Sequence, residues 1–353
     1  ITLLGLGEVF HQGRRQPVRR VLRKLGMTPL SLEAKEGLAL NNRTTVMTAI
    51  AALAVYDGYN TAKIADIAAC ISLEALHGVP YAFDERTHAL RPYHGQLTVA
   101  SNVRRIVSGS QIIEKFKNRV QDAYSLRCVP QVHGASRDAL DYVRDKVAVE
   151  INAVTDNPLI FVDDREAISG GNFHGQPIAL AMDFFGIAMA ELANISERRV
   201  ARLVDGSLSG LPPFLINESG LNSGFMIPQY AAASVVSENK VLAHPSSVDS
   251  IPTSANQEDH VSMGTYGARK GRMILNNTRK VLAIELLTAA QALDFSILLE
   301  PGKGTRAAYD SIRSAVPFLK HDDYIHPLIR RVIELMDRSE VLHAVEEAVG
   351  VLD

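Results

Sequence analysis

The stretch Pro177-Ile178-Ala179-Leu180-Ala181-Met182-Asp183-Phe184-Phe185-Gly186-Ile187-Ala188-Met189-Ala190-Glu191-Leu192-Ala193-Asn194-Ile195 decides the fold. Ile178, Ala181, Phe185, Ala188, Leu192 and Ile195 recur at spacings of three and four, the period of one helical face, while Leu180, Phe184 and Ile187 make other faces apolar. A helix apolar nearly all round needs neighbours on every side, so it belongs in the middle of a bundle. Pro177 suits its first position, and Arg198, Arg199 and Arg202 complement the dipole at its far end.

Leu282, Leu286, Ala289 and Leu293 repeat the pattern in a helix expected from about Gly264 to Asp294. Leu32 to Leu76 is Ala-rich and free of proline, and reads as two helices divided near Asp57-Gly58; another helix is expected over Ser101 to Phe116. Residues 138 to 154 read as a helix stopped by Asp156-Asn157-Pro158, since proline cannot continue it. One small hairpin is expected near 159–168, and the basic run from Arg14 to Lys24 reads as a solvated helix face. After a break at Glu300 to Gly304, two or three shorter helices follow. The expectation is all-α: an elongated bundle of long antiparallel helices forming a single domain over 1–353, its core 1–295 and a C-terminal helical region 296–353.

At 353 residues, the chain buries a core without disulfide or metal staples. Lys and Arg total 37 against 39 Asp and Glu, which leaves no global field for a polyanion, so nucleic acid is not an expected partner. Cys70 and Cys128 are too few for a secreted disulfide framework, and a cytoplasmic location is expected. Ser219 to Ser237 is uncharged but carries Asn222, Pro228 and Gln229, which argues against a membrane span. The opening Ile1-Thr2-Leu3-Leu4-Gly5 lacks an initiator Met and a signal-peptide pattern, and reads as the start of a fragment.

Familiar catalytic motifs do not appear. Gly302-Lys303-Gly304-Thr305-Arg306-Ala307 follows no strand and lacks Walker spacing, so no nucleotide is expected there. There is no GxSxG elbow and no HExxH helix; His260 beside Glu258 and Asp259 reads as a hydrogen-bonded cluster, and no metal site is expected. Three polar segments remain. Gly37 to Thr45 places Asn41, Asn42, Thr44 and Thr45 at the start of an apolar helix, where an Asn cap is the ordinary explanation. Gln121 to Gln131 offers an amide, a phenol and a guanidinium within seven residues, and Arg is suited to bidentate capture of a carboxylate. Ser246 to His260 is a polar run between apolar helices, either a solvated loop or a lined pocket.

With Gly7-Glu8-Val9-Phe10, Lys35 to Leu40 followed by Asn42, Gly170-Gly171-Asn172-Phe173-His174, Leu211 to Leu215 and Asn222 to Met226, these segments fall in one order over about residues 3 to 295. That order closely resembles the histidine ammonia-lyase branch of the aromatic amino acid lyases and aminomutases. The resemblance implies a helical homotetramer that eliminates ammonia from an aromatic amino acid, L-histidine to urocanate above all. It also implies the electrophile methylidene-imidazolone (MIO), formed by cyclisation of an internal Ala-Ser-Gly, with no metal and no nucleotide. This chain contains no Ala-Ser-Gly; in relatives the tripeptide lies shortly before the segment matching Gly7 to Phe10. The chain is therefore expected to need its own N-terminal portion, which carries the family's Tyr loop, and to be inactive without it.

By similarity, Arg127 holds the substrate carboxylate, Asn42 orients it, and Gln121 and Tyr124 sit beside the electrophile, with Tyr124 assisting proton transfer at the amine. Phe173 walls the cavity, and Gln257 and Glu258 lie near the ring and amine end, where Glu258 accepts from an imidazole N–H. Histidine lyases usually read Asn-Gly-Thr-Gln where this chain has Asn42-Arg43-Thr44-Thr45. Arg43 thus keeps open a tyrosine or phenylalanine lyase, a 2,3-aminomutase, or a catalytically silent homologue serving assembly.

Overall fold

A computed structural model describes residues 1–296 and 298–353, which divide into two compact units. The first comprises Ile1–Thr44 and Val154–His174, the second Thr45–Ala153 and Gly175–Asp353. The C-terminal helices Lys303–Ala315, His326–Asp337 and Glu340–Val349 fall in the second unit.

The second unit is built on three long helices, Thr45–Ala75, Gln176–Val204 and Gly264–Leu293, with Val129–Glu150 packed against the first two. Gly264–Leu293 runs against both of the other long helices, and Ile178, Phe185 and Leu192 are fully buried. Close approach depends on small residues: a Cβ at Gly186 would meet Ile274 Cδ1 at 2.9 Å, and one at Gly271 would meet Met182 Cε at 2.9 Å. Gln176–Val204 is long and apolar enough to cross a bilayer, yet 67% of its most apolar window is covered by the protein itself.

Several boundaries differ from the sequence expectation. Thr45–Ala75 runs unbroken through Asp57-Gly58, because Gly58 is there for packing: a Cβ would meet Phe185 Cε2 at 2.9 Å. The segment before it forms only the short helix Glu36–Asn41, so the expected helix over 32–57 starts too early. The expected 101–116 helix is two, His94–Ile106 and Gln111–Phe116, parted by Gly109 at φ +78° and by the Ser110 side chain, which accepts from Ile113 N–H. Val129–Glu150 begins nine residues before the expected 138, with Pro130 in its first turn.

The first unit carries the expected hairpin, Leu159–Phe161 paired antiparallel with Glu166–Ile168 and Leu159 opposite Ile168. It also carries one that the sequence reading took for a helix face: Glu8–His11 pairs with Arg14–Pro17, Val9 opposite Gln16. Gln12 and Gly13 both take positive φ, the requirement of a tight hairpin turn, and only Val18–Lys24 of the basic run is helical.

Two glycines separate packing against a side chain from packing against backbone. A Cβ at Gly134 would lie 2.4 Å from Gln96 N, which cannot move without shifting its helix, whereas Gly58 faces side chains that can give. Gly134→Ala is expected to destabilise by about 3 kcal/mol or more, and Gly58→Ala by about 1 kcal/mol or less because alanine's helix propensity offsets the crowding. Thermal denaturation checks this, and equal losses would show that the backbone contact is not the tighter constraint.

Candidate active site

Gln121 to Cys128 forms a short surface element with one buried side and one open side. Asp122 is buried and accepts from Val79 N–H at 2.7 Å and from Arg119. The single turn Tyr124–Arg127 follows, closed by Cys128 N–H donating to Tyr124 O at 2.9 Å. Leu126 points into the core, whereas Tyr124 and Arg127, three apart, share the outer face. The Arg127 guanidinium carbon lies 4.7 Å from the Tyr124 ring centroid, a cation–π contact that aligns both groups. Arg127 Nε is buried and has no hydrogen-bond partner among the described residues. Tyr124 is 71% exposed and Gln121 is exposed too.

Gln257 and Glu258 also lie in the second unit, both exposed. Thr253 and Glu258 close a turn through Thr253 N–H to Glu258 O at 3.0 Å, and the Thr253 hydroxyl donates to the Glu258 carboxylate. Ser254, Ala255 and Asn256 inside it all take positive φ, a strained run for residues with side chains. Asp183 anchors the start of this loop, accepting from Ser246 N–H at 2.8 Å and Ser247 N–H at 2.7 Å while paired with Lys270 at 2.7 Å. Burial alone would raise the Asp183 pKa, but Lys270 and the Ser247 N–H outweigh it and hold the carboxyl below its ordinary range. Among the described residues, no hydrogen bond or ring contact joins Gln257 or Glu258 to Tyr124 or Arg127.

Asn42 and Phe173 belong to the first unit. Asn42 is not the cap that opens the following helix. It ends the preceding one, with its N–H donating to Leu38 O at 2.8 Å. Arg43 turns to Asp156, Nη2 to Oδ2 at 2.8 Å, and Lys35 reaches the same oxygen at 2.7 Å. The Lys35 hydrogen bond, the Asn157 N–H and Arg43 bring the Asp156 pKa down to about 2. Phe173 is half-buried beside the Gly171 to His174 turn, and upstream Gly170 N–H donates to Asn157 Oδ1 at 2.9 Å.

Sequence reasoning missed the charged groups beneath the Tyr124–Arg127 turn. His133 Nδ1 lies 2.8 Å from Asp66 Oδ1, and its Nε2 faces Arg199 Nη1 at 3.5 Å. A guanidinium only donates, so Nε2 accepts and the ring proton sits on Nδ1. Asp66 is further held by Arg137 at 2.7 Å and Asn102 at 3.1 Å. The available signal was a lone ionisable residue inside an apolar helix, as with Asp66 and Asp183.

Within the second unit, the exposed Tyr124 phenol and the half-buried Arg127 stand on a charged, buried base. The aromatic amino acid lyase family matches residues 1–314, and the chain belongs to that family. It is 55% identical over 350 residues to a histidine ammonia-lyase of Alkaliphilus oremlandii, covering 99% of this chain and 69% of that protein. Among solved structures, histidine ammonia-lyase from Trypanosoma cruzi superposes with a TM-score of 0.92 at 41% identity, covering 99% of this chain and 67% of that one. Tyrosine aminomutase from Streptomyces globisporus gives 0.93 at 39%, covering 100% and 71%.

His133 sets a pH limit on this arrangement. Burial, helped by Arg199, pushes its pKa below the ordinary 6.5, against the pull of Asp66. The unfolded chain therefore binds the proton more readily, so His133's contribution to stability is full above pH 6.5 and declines as the pH falls below it. Urea unfolding between pH 7.5 and 5 checks the sign; His133→Gln should flatten that slope, and an unchanged slope would remove His133 as its source.

Proposed function

We propose that the protein is an ammonia-lyase acting on an aromatic amino acid, with L-histidine converted to urocanate and ammonia. The observation that carries this reading is the buried, unpartnered Arg127 Nε beside the exposed Tyr124 phenol. A substrate carboxylate supplies the missing acceptor, and the planar guanidinium fixes its direction. Asn42 orients the substrate, Phe173 bounds the cavity, and Tyr124 accepts or returns the amine proton. Glu258 and Gln257 take the ring end, where a carboxylate accepts the imidazole N–H that a benzene ring lacks. The histidine assignment is supported by the relative at 55% identity, which is itself named a histidine ammonia-lyase.

The family's MIO group supplies an electrophile that makes ammonia a better leaving group. Gln121 and Tyr124 suit its neighbourhood, since both side chains are exposed and have no hydrogen-bond partner among the described residues. The Ala-Ser-Gly that forms the group is not among these 353 residues, so in our reading another part of the protein supplies it.

A second reading, a 2,3-aminomutase acting on tyrosine, is favoured by Arg43 and by the likeness to the tyrosine aminomutase structure. One kinetic series on the full-length gene product separates the two. Arg127→Lys should lower kcat/KM by about thirtyfold, roughly 2 kcal/mol, because an ammonium cannot replace the fork. Glu258→Gln should lower histidine turnover by about as much, and turnover of a phenyl or phenol substrate far less. Wild-type preference for tyrosine with a β-amino acid as main product would establish the aminomutase instead.

The protein acts as a homotetramer in this reading. Leu180, Phe184 and Ile187 lie outward on Gln176–Val204 at 48%, 42% and 45% exposure, an apolar stripe that a partner subunit would cover. The Leu282 to Leu293 series is consumed inside the second unit, where Leu282, Leu286 and Ala289 are fully buried. Sedimentation velocity at micromolar concentration is expected to return a tetramer, and a stable monomer would overturn the assembly reading.

A further inference from the structure

The least expected side chain in the molecule is Arg199, which is fully buried, as is its partner Glu285. Two of its nitrogens make a bidentate pair with that carboxylate, Nε to Oε1 at 2.5 Å and Nη2 to Oε2 at 2.8 Å. The third, Nη1, turns away from Glu285 and donates to the carbonyl of Ser125 at 3.4 Å, with His133 Nε2 3.5 Å distant. The Ser125 carbonyl belongs to the Ser125–Leu126 peptide unit at the middle of the Tyr124–Arg127 turn, so what fixes it fixes the centre of the four-residue helix that carries both side chains.

Stability alone does not account for such a pair. Desolvating two charges offsets most of their attraction, and well-packed apolar residues of similar volume commonly do as well or better. What an apolar replacement lacks is direction. A four-residue helix is far too short to hold itself in water, and Tyr124–Arg127 therefore takes its orientation from its anchors. Asp122 pins its start and Leu126 its inner face, while Arg199 is the anchor that reaches the main chain from the core.

We propose that Arg199 is a positioning residue for the candidate site. Held rigid by Glu285, it fixes the Ser125 carbonyl and so sets the directions of the Arg127 guanidinium and the Tyr124 phenol. His133 completes the device: with its proton directed to Asp66, Nε2 is an acceptor facing Arg199 Nη1. The proposal rests on the functional reading of Tyr124 and Arg127 given above, but it also makes a claim about the turn itself.

The test is Arg199→Lys in the full-length gene product, which keeps the charge and loses the fork. Steady-state kinetics are read together with hydrogen exchange by mass spectrometry over residues 121–132. Exchange across Tyr124–Cys128 is expected to rise at least fivefold, and KM for the amino acid to rise at least fivefold in protein whose circular dichroism matches wild type. Ser136→Ala removes a buried hydrogen bond to Ala188 O, away from the turn, and should leave KM within twofold. A folded Arg199→Lys protein with wild-type KM and wild-type exchange would overturn the proposal. If that variant does not fold, the apolar pair Arg199→Met with Glu285→Leu replaces it: loosened exchange at Tyr124–Cys128 supports the assignment, and wild-type exchange there rejects it. If wild-type protein turns over no aromatic amino acid, the functional reading fails, and the exchange comparison still decides whether Arg199 orders the turn.

Discussion

The Glu285 carboxylate is the point at which the three long helices meet. It stands on Gly264–Leu293, accepts from Ser72 on Thr45–Ala75 at 2.7 Å, and accepts from Ser196 at 2.6 Å and both Arg199 nitrogens on Gln176–Val204. Apolar packing is nearly directionless, and an Ala-rich helix slid one turn along its neighbour meets similar surfaces again. A carboxylate that must meet four donors has one position. The pair costs desolvation, and what it returns is register: helices of 31, 29 and 30 residues locked at one level along their length.

The long helices were legible because periodicity survives over about eight turns, and errors gathered where one residue carried the decision. Gly58 looked like a break because glycine disfavours helix, but the sequence does not reveal that Phe185, 127 positions away, fills the space where a Cβ would stand. Gln12-Gly13 was a turn signal hidden among arginines, and reading the charges as one helix face masked the hairpin that the two positive φ angles form. Gly109 and Ser110 marked a real boundary, a left-handed residue followed by a hydroxyl cap, that an apolar count over 101–116 passed through.

The candidate site divides in the same way. Tyr124 and Arg127 could be singled out because their types and spacing suit carboxylate capture and proton transfer, and ordered motifs supplied the family. Their support could not be read. Arg199 looked like a dipole-complementing residue at the end of a helix, and nothing local in the sequence says that its partner is Glu285 or that Nη1 reaches Ser125. Arg43, whose place in the sequence kept other substrates open, pairs with Asp156 in its own unit. Contacts that pair residues scores of positions apart are settled by topology, which periodicity alone leaves open.

A group that handles substrate has to be reachable and still point one way, and the two demands conflict on a surface. In Tyr124–Arg127, the turn of the candidate site, the division is between Leu126 and the Ser125 carbonyl, which face the core, and the exposed Tyr124 phenol with the half-buried Arg127 beside it. The Thr253 to Glu258 turn meets them differently. Three successive residues with side chains hold positive φ, at an expense of about 1 kcal/mol or more each, and such a run persists only where its surroundings over-determine it. Here the surroundings are the Thr253–Glu258 bridge, the Asp183 anchor at Ser246-Ser247, and Val261 N–H donating to Ser250 Oγ at 2.9 Å. Neither element is loosely held: in each the main chain is fixed by buried anchors, while Tyr124, Gln257 and Glu258 stay exposed.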